Sequence, residues 1–376
     1  MTEAQLQTID SAAAADYGKD AVIAAGTIAA DLIAPLTSKI DLEGFYPQDV
    51  MKTMGHAGVF RQHLSSPAAG GKGKLMDAIS AMAKVSEECL STGFLTWCQD
   101  TCAWYLDNSE NTSLRDTYTP KFASGELLGG TGLSNAMKAL SSIEPLRLQA
   151  EEVDGGFIVN GVLPWVSNLG DDHYFGTMFQ INGKNPRKAM ALIPCQSEGF
   201  TLRTVGPFTA LEGTRTLACQ FKDVFVPESM LIADPIDKYL PKIRAGFILL
   251  QMGMGVGNIQ SCINLMNEVE PQLGHVNQFL DDRPDVLQEE LNDAIDATIA
   301  LAEEPLNDDP DFWREVLELR LAGGELALRA AHSAMLHTGA KGYLQMGAAQ
   351  RKLREAYFIA IVTPATKHLR KELSEM

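Results

Sequence analysis

The chain has 376 residues, enough for two or three domains or one large one with a sizeable core. Lys and Arg number 31 against 48 Asp and Glu, a net charge of −17, and hydrophobic residues make up 45%. That acidic balance argues against a phosphate-backbone footprint and against docking on anionic lipid, so neither nucleic acid nor a membrane is expected as a partner.

The N-terminal stretch MTEAQLQTIDSAAAADYGKD has no basic segment followed by an apolar one. No secretory leader is expected, and the cytoplasm is the expected compartment. Apolar residues then recur every three or four positions through AVIAAGTIAADLIAPL and LMDAISAMAKVSEECLSTGFLTWCQDTCAWYL, which predicts an N-terminal helical domain over 1–123. Asp49 suits the first turn of a helix in DVMKTMGHAGVF. Trp97 and Trp104, seven apart, are expected to face a bundle core. Cys98 and Cys102 have no His or Cys pair nearby to complete a zinc site, so the six cysteines are expected as reduced, buried thiols and no metal is expected.

From 124 to 232 the pattern changes. Turn signals at Asp154-Gly155-Gly156 and Asn160-Gly161 separate short β-rich runs such as YFGTMFQI, AMALIPC and CQFKDVFVP. An antiparallel β domain, sandwich or barrel, is expected there. Within it, VNGVLPWVSN places the large indole of Trp165 two residues before the hydroxyl of Ser167, where a polar loop begins. A rim tryptophan packed on its own domain and the wall of a flat aromatic cofactor both fit this short stretch.

The helical period returns from 233 to 376, with long windows joined by short polar linkers, as in an antiparallel four-helix bundle. Residues 245–267, AGFILLQMGMGVGNIQSCINLMN, carry no charge and have the length of a membrane span. Gln251, Asn258, Gln260, Ser261 and Asn264 interrupt the run, so a buried bundle helix is expected, with Gly253, Gly255 and Gly257 admitting a close neighbour. These glycines do not make a dinucleotide fingerprint, because Asn258 stands where its last glycine belongs.

Helices, then an antiparallel β domain, then a helical bundle is an α+β order that resembles the acyl-CoA dehydrogenase superfamily of flavoproteins over nearly the whole chain. Four segments carry the resemblance, in the right order. VNGVLPWVSN (159–168) is similar to the family's flavin-flanking Trp-Ile-Thr-Asn segment. FKDVFVPESMLI (221–232) is similar to its exit from the β domain, SGELLGGTGLSN (124–135) to the approach to its acidic-proline-glycine loop, and TGAKGYLQMGAAQRKLREAYFIAIVTPAT (338–366) to its C-terminal glycine-rich stretch. The resemblance implies FAD as cofactor, with Trp165 against the flavin ring and Ser167 at its edge. It implies cofactor contacts from Thr131, Gly132 and Ser134, and from Gly339 and Gly342 toward a neighbouring subunit. A homodimer or homotetramer is implied as well. The Arg-x-x-x-Phe-type cofactor motif is not evident in EVEPQLGHVNQFLDD, so FMN or a diffusible reduced flavin stays open.

The departures bear on chemistry. The family's catalytic glutamate position holds Thr363, followed by Pro364, and a second known position for that base holds Phe247. A neutral hydroxyl is no carboxylate base, so ordinary α,β-desaturation is not expected. The leading reading is a flavin-dependent oxidoreductase with monooxygenase- or oxidase-like use of the flavin, its pocket lined by Gln99, Ser167 and Thr363. A dehydrogenase with a relocated base (Glu212, Asp171 or Asp172) is the alternative, and a catalytically retired scaffold the third. A small molecule or a thioester is the expected substrate.

Overall fold

The computed structural model describes residues 20–376, so the stretch read for a leader lies, apart from Asp20, outside the described residues. Helix α1 (Ala21–Ile28) begins at Asp20, whose carboxylate accepts the amides of Val22 and Ile23. It runs on through two short turns into α2 (Thr37–Glu43), which ends at Gly44 in the left-handed conformation. By length and composition Ala21–Glu43 would pass for a membrane span. Its Ala25, Ile28, Leu32 and Ile33 nevertheless join a core with Ala81 and Val85 of the helix that packs on it. Helix α3 (Gln48–His56) has Asp49 in its first turn. Helices α4 (Leu75–Glu88), α5 (Leu90–Asp107) and α6 (Thr112–Ala123) follow, and α5 is buried over its whole length.

The middle of the chain forms one eight-stranded sheet. Its strands are β1 (Gly129–Thr131), β2 (Gln149–Val153), β3 (Gly156–Val166), β4 (Tyr174–Asn182), β5 (Arg187–Pro194), β6 (Phe200–Thr204), β7 (Leu217–Pro227) and β8 (Leu231–Ala233), with the short helix α7 (Ser134–Leu140) after β1. The strand order is β6-β7-β3-β2-β4-β5-β8, with β1 beside β4. Pairing is antiparallel except for β1 and β2, which both run parallel to β4. The expected sandwich or barrel is thus a single sheet curled on itself. Phe175 of β4 meets Phe200 and Phe221 of the distant strands β6 and β7, and these rings fill the enclosed core.

Helix α8 (Tyr239–Leu250) leads into α9 (Met252–Asn277), and Gln251 joins them, so the uncharged 245–267 run is two buried helical pieces. Helix α9 packs with α10 (Pro284–Ala302), α11 (Pro310–Thr338) and α12 (Ala348–Ile361), while α13 (Thr366–Glu375) lies on α11. Helix α9 also presses on α4 of the N-terminal part. A Cβ at Gly257 would stand 2.2 Å from the Ala83 carbonyl oxygen, so only glycine fits there. Gly255, expected to do the same, has nothing nearer than 4.0 Å. Through this contact Ile79, Met82, Met254 and Leu326 belong to one continuous core, which supports the sheet from below.

Candidate functional site

A cavity of about 1040 Å³ opens where the curled sheet meets α5, α8 and the C-terminal helices. It is larger than one drug-sized molecule needs, so a cofactor ring and a substrate fit together. Residues from three separate segments of the chain meet in its lining: Thr131 and Ser134, Trp165 and Ser167, and Thr363.

The register of β3 explains how Trp165 and Ser167 reach it. Leu163 pairs with Cys219 and Val166 with Leu217, so β3 carries an extra residue against β7. Such a bulge raises the local twist and re-aims side chains, and it absorbs Pro164, which has no ladder N–H to give. The outcome is an indole at the cavity that is 57% exposed. The sheet then stops at Asn168, whose φ of +62° turns the chain. Asn168 is the centre of a brace. Its amide N–H donates to the Thr214 carbonyl at 2.9 Å, its Nδ2 donates to the Gly129 carbonyl at 2.7 Å, and its Oδ1 accepts from the Tyr46 hydroxyl at 2.6 Å. Neighbouring Arg215 stacks its guanidinium on the Tyr46 ring at 4.4 Å.

One half of the lining is hydroxyl-rich. Ser167 Oγ lies 2.6 Å from Thr216 Oγ1, which lies 2.8 Å from Thr214 Oγ1. Thr131 Oγ1 meets the buried Tyr105 hydroxyl at 2.7 Å. Ser134 Oγ meets Thr363 Oγ1 at 2.8 Å. Thr363 is held from behind, because Gln251 donates Nε2 to its carbonyl at 2.9 Å and accepts Arg320 Nε at 2.7 Å. Arg320 faces no carboxylate among its hydrogen-bond partners, and burial pushes its guanidinium down to about 10.

The other half is aromatic. Phe94 stacks on Trp97 at 5.6 Å between ring centres, meets Phe358 edge-on at 4.5 Å, and Trp97 leans on Phe247 at 5.2 Å. All four line the cavity. Trp97 thus serves the pocket as well as the core, whereas Trp104 is core alone and donates its Nε1 to the Ile243 carbonyl at 3.1 Å. Tyr357 and Ile361, one turn apart on α12, also line the cavity and, like Trp165, are exposed.

Charged groups sit only at the rim. Among the described residues the cavity is lined by Lys138, Lys367 and Arg370 and by one carboxylate, Glu144. Glu144 accepts from Asn135 Nδ2 at 2.9 Å and lies 3.8 Å from Lys138 Nζ and 3.7 Å from Arg147. Lys138 is taken up by Glu144 and Arg370 pairs with Glu325, which leaves Lys367 as the lining cation with no ion-pair partner among the described residues.

Several expected residues lie elsewhere. Gln99 does not line the cavity. It is fully buried and occupied by backbone, donating to the carbonyls of Phe122 and Leu127 and accepting the Gly129 amide at 2.9 Å. Its role is to hold β1, and through it Thr131. Gly132 has both backbone groups engaged, its amide with Gly176 at 2.8 Å and its carbonyl with Thr177 at 3.1 Å, so it has no N–H to offer a ligand. Gly339 and Gly342 belong to the turn after α11 and not to the cavity lining. The carboxylates weighed as relocated bases also lie outside it. Asp171 and Asp172 are exposed, and Glu212 caps the Phe208 amide. The residues missed from sequence are Thr214, Thr216, Asn168, Phe94, Phe358 and the rim lysines. TALEGTRT draws attention to its glutamate and hides two hydroxyls that the structure brings to Ser167.

Residues 21–126 match the family model for the acyl-CoA dehydrogenase N-terminal domain. A probable acyl-CoA dehydrogenase of Bacillus subtilis strain 168 is 23% identical over 348 residues, covering 88% of this chain and 89% of the relative. Butyryl-CoA dehydrogenase from Megasphaera elsdenii superposes with a TM-score of 0.82 at 15% identity, over 100% of this chain and 98% of that one. Dibenzothiophene monooxygenase from Paenibacillus sp. A11-2 superposes with a TM-score of 0.79 at 14% identity, over 94% and 96%. One fold thus spans a dehydrogenase and an oxygenase. The chain carries the acyl-CoA dehydrogenase N-terminal domain over residues 21–126 and is similar over most of its length to the acyl-CoA dehydrogenase superfamily of flavin-dependent oxidoreductases.

Proposed function

We propose that this chain binds a flavin in the cavity described and uses it as a monooxygenase or oxidase does, not as an α,β-desaturase. One observation carries the reading. Thr363 and Phe247, the residues at the two positions where family resemblance places the catalytic glutamate, both line the cavity, and neither is acidic. The single lining carboxylate is the rim residue Glu144, already held by Asn135 and two cations. A base for removing a substrate α-proton therefore has no candidate among the described lining residues.

The lining fits a flavin. The exposed indole of Trp165 offers a face to a flat ring, and Thr131, Ser134 and Ser167 offer hydroxyls to its polar edge. Bound and reduced, a flavin supplies two electrons with which oxygen is activated, one oxygen atom going to substrate and the other leaving as water. The protein residues do the rest. Phe94, Trp97, Phe247 and Phe358 exclude water and present an apolar, ring-lined space to a small substrate. Lys367, which has no ion-pair partner among the described residues, would meet a phosphate of the cofactor or of a thioester substrate.

FAD is the cofactor favoured by family resemblance, with its adenosine half reaching Gly339 and Gly342 of a second copy in a homodimer or homotetramer. The exposed Phe279, Tyr343, Leu344 and Met346 at that end of the bundle support an interface there. FMN or a diffusible reduced flavin would use the same ring site. Six free, buried cysteines support a reducing compartment, the cytoplasm.

The test is a single-turnover experiment. The flavin-loaded protein is reduced, mixed with small aromatic and thioester compounds, and exposed to labelled oxygen. The reading expects one labelled oxygen atom in a product or, in a parallel arm begun with oxidised flavin, substrate oxidation to a product other than an enoyl thioester with hydrogen peroxide formed once oxygen is admitted. Substrate-driven flavin reduction with an enoyl thioester as product would overturn it.

A further inference from the structure

The hydroxyls behind Trp165 form a chain with a fixed direction. Thr214 Oγ1 donates to the Leu211 carbonyl at 2.7 Å, and a carbonyl has no proton to return. Thr214 has one hydroxyl proton, so its 2.8 Å contact with Thr216 must be supplied by Thr216. The Thr216 proton is then committed, so the 2.6 Å contact with Ser167 must be supplied by Ser167. Three hydroxyls carry three protons, and all three are committed along the chain toward the Leu211 carbonyl, with none left for a ligand. What Ser167 turns to the cavity is therefore its lone pairs.

The loop that ends the chain is built to keep it so. Leu211 and Arg215 hold φ of +65° and +45°, conformations unfavourable for a non-glycine residue that persist only when the surroundings impose them. Here the surroundings are the Arg215–Tyr46 stack, the Asn168–Thr214 backbone bond, and a Thr214 amide that also donates to Leu211 at 3.2 Å. Thr214 is almost wholly buried and Ser167 is 7% exposed, so bulk water competes little for these protons.

Resting on the flavin reading above, we propose that Thr216 and Thr214 make Ser167 a hydrogen-bond acceptor toward the cofactor, and that the site thereby selects reduced over oxidised flavin. Family resemblance sets Ser167 at the flavin edge that carries the ring nitrogen N5, which is a bare acceptor in oxidised flavin and carries N–H in the reduced form. An acceptor facing an acceptor gains nothing, and an acceptor facing N–H gains a hydrogen bond, a difference of about tenfold in affinity. Thr216 and Thr214 are positioning residues, acting through Ser167. Breaking the chain at Thr216 frees the Ser167 proton, which then satisfies either redox state.

Anaerobic titration of the full chain with FMN and FAD, each oxidised and dithionite-reduced, tests this through four dissociation constants per variant. The ratio of oxidised to reduced Kd is expected to be about tenfold lower in Thr216→Val than in the native protein. Thr216→Ser, which keeps the hydroxyl, is expected to retain the native ratio. Ser167→Ala, a second route should Thr216→Val fold poorly, is expected to lose the preference as well. An unchanged ratio in Thr216→Val, with both states bound, overturns the inference and leaves the flavin reading standing. Failure of native protein to bind either state overturns both.

Discussion

Ser134 and Thr363 lie 229 residues apart and share a hydrogen bond of 2.8 Å across the cavity wall. Ser134 opens α7 beside the sheet, and Thr363 stands in the turn between α12 and α13. The bond joins the segment that resembles the approach to the family's acidic-proline-glycine loop to the position that family resemblance assigns to a glutamate. Loss of the acid here comes with a hydroxyl pair that gives the wall a different chemistry.

If the missing acid is the reason for the departure from desaturation, restoring it at that place should restore some of that chemistry. Thr363→Glu is expected to allow slow anaerobic bleaching of bound flavin by short acyl-CoA, where the native protein shows none. Absorbance of the flavin bands follows it.

Trp165 is half free in this structure, so removing it should leave folding alone and weaken the cofactor. Trp165→Ala is expected to raise the flavin Kd about five- to tenfold, in keeping with about 1–1.5 kcal/mol for aromatic stacking. The melting temperature is expected to move by little. A fluorescence titration and a thermal melt read the two effects separately.

Phe247 behaves in the opposite way, being buried against Trp97 and Tyr105. Phe247→Ala is expected to cost about 3–5 kcal/mol of stability, the range for such core deletions. Chemical denaturation measures the loss. Survivors should accept bulkier substrates than the native protein.

Acid should weaken the fold through His63, which is fully buried and whose imidazole burial pushes down to about 4. Since the ordinary value is 6.5, the native state binds fewer protons than the unfolded one. Its contribution is present above pH 6.5 and disappears as pH falls toward 4, about 3 kcal/mol at 1.36 kcal/mol per pKa unit. Asp100 faces His63 at 3.9 Å, and burial raises its carboxyl well above the usual range. Its sign is the reverse, with stability lost as pH rises. Asp100→Asn is therefore expected to stabilise the protein at pH 7 and less so at pH 4.5. Urea unfolding at both pH values checks the pair.

Trp165, Ser167 and Thr363 could be read from sequence because each sits in a short segment whose spacing is local. The hydroxyls of Thr214 and Thr216 could not, since what matters is their approach to Ser167 across β7 and β3. Gln99 was misread for a related reason. A buried amide on an apolar helix looks the same in sequence whether it faces a cavity or completes a strand end, and here it holds Gly129. The order of helices and sheet was legible from periodicity. The curl of the sheet was not, since it depends on which rings meet inside it, such as Phe175 and Phe221.

A flavin cavity without a desaturating base is tested by the visible spectrum of flavin-loaded native protein as acyl-CoA esters are added without oxygen. Flavin bands that persist with every chain length, and bleach only with chemical reductant, are the predicted result. Rapid bleaching by any acyl-CoA would contradict the claim, as would a protein that takes up no flavin.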